Sequence, residues 1–200
     1  MDTKMLRLCL TLSVLLGLQI TGTGADQEVA DFCQQIICHH PTQIIQRNNY
    51  EEMEFPTFQW VETDVSGTDM KTALKTGLEK LLKYSNLSNA AETIVPVSAP
   101  WVIKGSLLND KIQREFQVYL YLSPLVHSPP EPKDPTVLIS TFPPFNFYIR
   151  TFRHHNQEDG SLINEFIKDL DQDKRSFYRK FFYIGWYNTR GLKQIAFLKK

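Results

Sequence analysis

The chain has 200 residues, 42% of them hydrophobic and 12% aromatic, and its 22 basic residues are balanced by 22 acidic ones. Without net charge it has no global field to draw in a polyanion or an anionic bilayer, which argues against nucleic acid as a partner. The length suits one domain, and no segment approaches the roughly 20 apolar residues of a spanning helix, so membrane insertion is not expected.

The opening is that of a secretory signal peptide. Lys4 and Arg7 precede an apolar run over residues 8 to 20, which ends in the small residues Thr21-Gly22-Thr23-Gly24-Ala25. Cleavage after Ala25 leaves 175 residues and, with Asp2, Lys4 and Arg7 gone, a charge of −1. The expected location is therefore secreted and extracellular. Residues 26 to 49 read as an N-terminal arm laid across the domain. Its Cys33 and Cys38 read first as a disulfide, with free or intermolecular thiols and a metal site using His39 and His40 as alternatives. Five residues apart in a continuous helix they are too distant to bond, so a bridge requires a turn at 35 to 37.

From Tyr50 the pattern turns strand-like, over 50 to 55 and, after Pro56, over 58 to 65, where Trp60, Val61, Thr63 and Val65 favour pleated backbone. Ser66-Gly67-Thr68 makes a turn and a helix cap with Asp69 close behind. Met70, Ala73, Leu74, Gly77, Leu78, Leu81 and Leu82 then mark an amphipathic helix of about four turns. The sequon Asn86-Leu87-Ser88 just past it marks Asn86 as a glycosylation site. Residues 93 to 104, interrupted by Pro96 and Pro100, read as a bent or edge strand. Over 115 to 122, Phe116, Val118, Leu120 and Leu122 alternate with Gln117, Tyr119 and Tyr121, so the tyrosine face is also covered or lines a groove.

Five prolines between 124 and 135 make a stiff excursion, either a linker between halves or a wall beside a ligand groove. Strands are expected at 136 to 140 and 145 to 152, a helix at 162 to 170, and strands at 181 to 187 and 192 to 198. The order is strand, strand, helix, strand, strand, given twice. Two such halves predict an α+β fold in which antiparallel strands curl into an open, distorted barrel with two flanking helices.

No P-loop, G-x-S-x-G, dinucleotide or H-E-x-x-H motif occurs, and no nucleophile, base or metal cage converges, so an enzyme is not expected. His127 and the pair His154-His155 read as loop residues exposed to solvent, with a metal or haem role as the alternative. The unusual feature is a concentration of aromatics beside Arg150 and Arg153, including Trp101, Phe145, Phe147, Tyr148, Phe152, Tyr183, Trp186 and Tyr187. Most belong in a core. Tyr148, Phe152, Tyr183 and Trp186 with Arg150 are the candidate binding residues, stacking on a flat apolar ligand while the guanidinium forks onto its carboxylate. That demand fits a tetrapyrrole such as haem. A single-strand nucleic-acid platform shows the same interleaving but conflicts with the neutral charge and secretion.

Five blocks resemble the SOUL haem-binding family in its own order. They are Tyr50-Glu51 with Trp60-Val61, Ser98-Ala99-Pro100, Ser128-Pro129-Pro130-Glu131-Pro132, Phe147-Tyr148-Ile149-Arg150-Thr151-Phe152 and Gly185-Trp186-Tyr187-Asn188. The resemblance spans about residues 46 to 199 and implies the same two-half barrel, here placed at 50 to 199, and non-covalent binding or transport of haem or a related porphyrin. The position at which one branch of the family has a proposed axial histidine is Glu54, and Val97 stands where the family has a methionine. Carboxylate is a poor substitute for imidazole on haem iron, so the resemblance implies a groove that works by stacking and carboxylate pairing. The alternative is a secreted module that keeps the scaffold but binds an extracellular protein instead.

Overall fold

The computed structural model describes residues 24–34, 38–153, 157–187 and 191–200. Residues 1 to 23 of the expected signal peptide, the expected turn at 35 to 37, and His154 with His155 lie outside the described residues. The elements in chain order are α1 (Gly24–Cys33), β1 (Gln43–Gln46), β2 (Glu51–Phe55), β3 (Phe58–Ser66), α2 (Met70–Ser85), β4 (Val97–Leu108) and β5 (Lys111–Leu122). They continue with β6 (Val137–Phe142), β7 (Phe145–Phe152), α3 (Asp159–Gln172), β8 (Phe181–Trp186) and β9 (Lys193–Leu198).

Local chemistry sets the helix limits. Asp69 caps α2 by accepting the Thr72 amide at 3.0 Å, so the cap is Asp69 rather than the preceding Ser-Gly-Thr turn. The buried face of α2 carries Ala73, Gly77, Leu81 and Tyr84. A Cβ on Gly77 would lie 2.5 Å from Val118, so only glycine lets the helix sit this close to β5. In α3 the inward residues are Leu162, Ile163, Phe166, Ile167 and Leu170, the period expected of a helix with one buried face.

The nine strands of the described residues form one antiparallel sheet in the order β1-β2-β7-β9-β8-β4-β5-β3-β6, open at both ends. The two halves are β2-β3-α2-β4-β5 and β6-β7-α3-β8-β9. Exchanging equivalent strands between them maps β2 through β6 of this order onto its own reverse, so the repeat is a pseudo-twofold centred on the β4 and β8 pairing. Each half lends its first strand to the other: β2 pairs β7, and β6 pairs β3. The halves therefore share one sheet and one core.

The expectation of an edge strand at 93 to 104 is corrected. β4 is central, paired with β5 on one side and β8 on the other. Pro96 precedes the strand, and Pro100 falls in a register shift between Ser98 and Trp101, where the ladder tolerates a missing donor. β4 and β5 are also longer than expected. They join through Asn109 and Asp110, both at positive φ, the backbone a two-residue hairpin turn requires.

The proline-rich segment packs on the end of α2. Tyr84 donates to the Pro130 carbonyl at 2.9 Å, and Ala90 N–H donates to the Glu131 carbonyl at 2.8 Å. The arm adds β1 to the sheet edge and is closed by the Cys33–Cys38 disulfide, with Cα atoms 5.4 Å apart. Val29, Phe32 and Cys33 pack with Cys38, Ala99, Tyr187 and Leu192 in a small cluster of their own.

Candidate functional site: an aromatic cavity on the face away from the helices

Strand alternation sends neighbouring side chains to opposite faces. One face packs Phe116, Val118, Leu120, Ile184, Ile195 and Phe197 against α2 and α3. The other gathers Met53, Phe55, Phe58, Trp60, Tyr119, Tyr121, Ile149 and Ala196, joined by Phe142, Phe145, Phe147 and Tyr183. No residue of a described helix belongs to this second cluster. Its rings meet edge to face in a continuous series. Phe58 lies 5.2 Å from both Trp60 and Phe145, Phe145 lies 4.9 Å from Phe147, and Phe147 lies 5.1 Å from Tyr183.

These rings line a cavity of about 210 Å³ whose walls are almost wholly apolar. Pro100 and Gly185 form part of the wall, and polar groups enter from His39, Tyr119, Tyr183, Tyr187 and Gln194. Three of the five are committed elsewhere. Tyr119 donates to Gln117 at 2.8 Å, Tyr187 donates to Gln194 at 2.7 Å, and Gln194 donates to Thr151 at 3.1 Å. Burial, with Glu62 nearby, pushes the Tyr183 phenol up to about 12, and burial raises Tyr119 and Tyr187 further. The phenols are neutral throughout the physiological range.

His39 enters from the arm. Its backbone N–H donates to the Ala99 carbonyl at 3.2 Å, and its ring sits 3.7 Å from Phe58, 4.7 Å from Tyr121 and 4.8 Å from Phe55, centroid to centroid. Burial, and secondarily the charge of His40, lowers its pKa to about 3, so the imidazole is neutral. Its Nε2 is shielded from solvent and has no hydrogen-bond partner among the described residues.

The five residues expected to form a binding site are divided between the faces. Tyr183 lines the cavity, but Tyr148, Phe152 and Trp186 pack into the core on the helix side. Arg150 is also there. Its Nε donates to the Asn49 carbonyl at 2.8 Å, its Nη2 pairs with Asp169 of α3, and its guanidinium lies 4.6 Å over the Phe166 ring. The expected face-sharing of Tyr148, Arg150 and Phe152 is present, but that face is the one α3 covers. None of the residues from 124 to 135 lines the cavity. Glu54 has the opposite strand parity to Met53 and Phe55 and lies outside the lining, while Val97 packs against the helix-side core. His127 is exposed, and so is Asn86 at the C-terminal cap of α2.

Sequence reading missed Phe55, Phe58, Trp60 and His39 as cavity residues, whereas the Tyr119 face was expected to be covered or to line a groove, and Tyr119 does line the cavity. A signal was present for the strand residues, since Phe58 with Trp60, Tyr119 with Tyr121 and Phe145 with Phe147 are aromatic pairs two apart, each necessarily on one face. For His39 there was none, because its place depends on the path of the arm.

Comparison with known proteins agrees with this architecture. Human heme-binding protein 2 is 26% identical over 150 residues, covering 72% of each chain. Heme-binding protein 1 of Xenopus laevis is 30% identical over 111 residues, covering 54% of this chain and 58% of its own. Among solved structures, the C-terminal domain of EcmrR shares the fold at a TM-score of 0.56 and 7% identity, covering 76% of this chain and 98% of that domain. The family described as SOUL heme-binding protein matches residues 38–195, and with a match over most of its length, the chain belongs to the SOUL heme-binding protein family.

Proposed function

We propose that this protein binds haem or a related tetrapyrrole non-covalently, in the aromatic cavity of the uncovered sheet face, and does so outside the cell. The observation that carries the reading is the cavity: a continuous wall of rings whose cluster includes no residue of a described helix, in a chain whose relatives are named for haem binding. Such a wall stacks on a planar macrocycle and buries its apolar surface, at about 25 cal/mol per Å² removed from water. At about 210 Å³ the space is below the roughly 300 to 1,000 Å³ of a typical small-molecule site. The macrocycle therefore enters by one edge. Among the described residues no Lys, Arg, Asp or Glu lines the walls, so the porphyrin carboxylates stay at the mouth, in water.

Binding or transport, rather than catalysis, fits the polar groups present, which are neutral phenols, an amide and one neutral imidazole. Secretion is supported by the apolar run behind Lys4 and Arg7 and by the Cys33–Cys38 disulfide, a bond that persists in oxidising compartments. The exposure of Asn86 supports glycosylation there. A second reading, docking of an extracellular protein, is favoured by the outer edge of β1, where Ile44 and Ile45 are 50% and 38% exposed.

Titration of the disulfide-bonded protein with ferric haem and with metal-free protoporphyrin, followed by Soret absorbance and tryptophan quenching, tests the proposal. Saturable one-to-one binding is expected, weakened by Phe58→Ala and unchanged by Lys75→Ala on the exposed side of α2. Absence of binding by both porphyrins would overturn it and favour the strand-edge reading.

A further inference from the structure

An aromatic ring presents a negative face, and a cation held against several such faces is attracted by each, most strongly by tryptophan. Phe55, Phe58, Trp60, Tyr119, Phe147 and Tyr183 supply rings to one cavity, and among the described residues no Lys or Arg lines it. The titratable groups in its wall add no positive charge, since His39 and the phenols are neutral. Phe142, Phe145, Phe147 and Tyr183 are only half-buried, so rings of the wall are reachable from solvent.

Charge beside the wall has the same preference. Glu62 lies directly opposite Tyr119 in the β3–β5 ladder, on the same face, and accepts from the Ser140 hydroxyl at 2.7 Å. Asp64, two residues on, and Glu115 line a second space of about 380 Å³ on that face. None of these three carboxylates is ion-paired among the described residues. After burial itself, the Glu62 charge is the next cause that raises the Tyr119 and Tyr183 phenols, so its field reaches the cavity. Lys104, the one base of the second space, is engaged away from the cavity: its Nζ donates to Gln117 at 3.0 Å and lies 4.7 Å over the Phe181 ring.

We infer that the cavity is also a binding site for a quaternary ammonium headgroup carried on an uncharged chain. The ammonium sits among the ring faces, and Glu62 lies on the side from which its charge is balanced. The size fits: about 210 Å³ is about seven times the roughly 30 Å³ that a water fills in the liquid, which suits a trimethylammonium group and the first atoms of its chain. Such a ligand brings no anion toward Glu62, Asp64 and Glu115. Its recognition is non-covalent and does not depend on the tetrapyrrole reading, although both ligands use the same rings.

Choline and 3,3-dimethylbutan-1-ol, its neutral counterpart with carbon in place of the charged nitrogen, separate charge from shape. Both are titrated into the disulfide-bonded protein and followed by ligand-observed nuclear magnetic resonance. Choline is expected to bind saturably and about tenfold or more tighter than the neutral alcohol. Trp60→Leu keeps an apolar wall but removes a ring, and should weaken choline about tenfold while leaving the alcohol within about twofold. Phe147→Leu, at a half-buried position that tolerates the change, should weaken choline about threefold with the same selectivity. Glu62→Gln preserves shape and should also cost choline about threefold, an effect that shrinks as salt is raised. Absence of choline binding, equal affinity for choline and the alcohol, or choline binding unchanged in both ring variants would overturn the inference, whatever the porphyrin titrations give. Selective choline binding by a protein that binds neither porphyrin would sustain it and overturn the tetrapyrrole reading alone.

Discussion

Along β7, Tyr148, Arg150 and Phe152 go beneath the helices, whereas Phe145, Phe147 and Ile149 go to the face that no described helix covers. Both sets are rich in aromatics, and the sequence separates them only by parity. On the covered side Arg150 is matched by Asp169 and the Asn49 carbonyl, and Tyr50 by Asp173 at 2.7 Å. On the uncovered side the rings enclose space. A face packed shut by a helix is finished by the chain itself, and one that leaves space is suited to being completed from outside.

Substitutions on the two faces should therefore separate stability from binding. The largest effect is expected from Phe166→Ala, which empties a fully buried position between α3 and β9 and should lower unfolding free energy by about 3 to 5 kcal/mol in a urea titration. Arg150→Ala comes next. It leaves Asp169 and the Asn49 carbonyl without a partner, and because the Asp169 side chain is 25% exposed the loss should be about 2 to 3 kcal/mol. Its porphyrin affinity should stay within about twofold of wild type, since the side chain lies on the other face from the cavity. A large and selective loss of porphyrin affinity in folded Arg150→Ala would instead return the site to the helix side.

Opening the disulfide by Cys33→Ser with Cys38→Ser should remove about 2 kcal/mol in the chain-entropy model for so short a loop. Hydrogen exchange should locate that loss in residues 38 to 46, leaving the helix-side core protected. Trp60→Ala should reverse the pattern seen for Arg150. With its ring in the cavity wall, it should weaken porphyrin binding by about tenfold, or about 1.4 kcal/mol, with the helix-side core intact by circular dichroism.

The smallest effect is expected from pH. The folded arm holds His39 neutral down to about 3, while an undocked arm takes up a proton near the usual histidine value of about 6.5. Docking is thus fully favoured above about pH 6.5 and weakens progressively as pH falls toward 3. Hydrogen exchange across residues 38 to 46 should show this acid loosening in the wild type and little of it in His39→Phe.

Sequence by itself determined a good deal here. The period of three and four placed α2 and α3, the period of two placed the strands, and the repeated element order announced two similar halves. The even, close pair of cysteines in a chain read as secreted predicted the disulfide that is present. These features are local, set by side chains a few residues apart. Only the tertiary structure decided that β4 is central, that each half lends its first strand to the other, and that α3 covers the Arg150 side of β7. Alternation states which residues share a face, but which face receives a helix depends on contacts between residues as distant as Tyr50 and Phe166. His39 is the extreme case: its place in the cavity follows from a bridge between Cys38 and Ala99, a contact across sixty residues that no local pattern records.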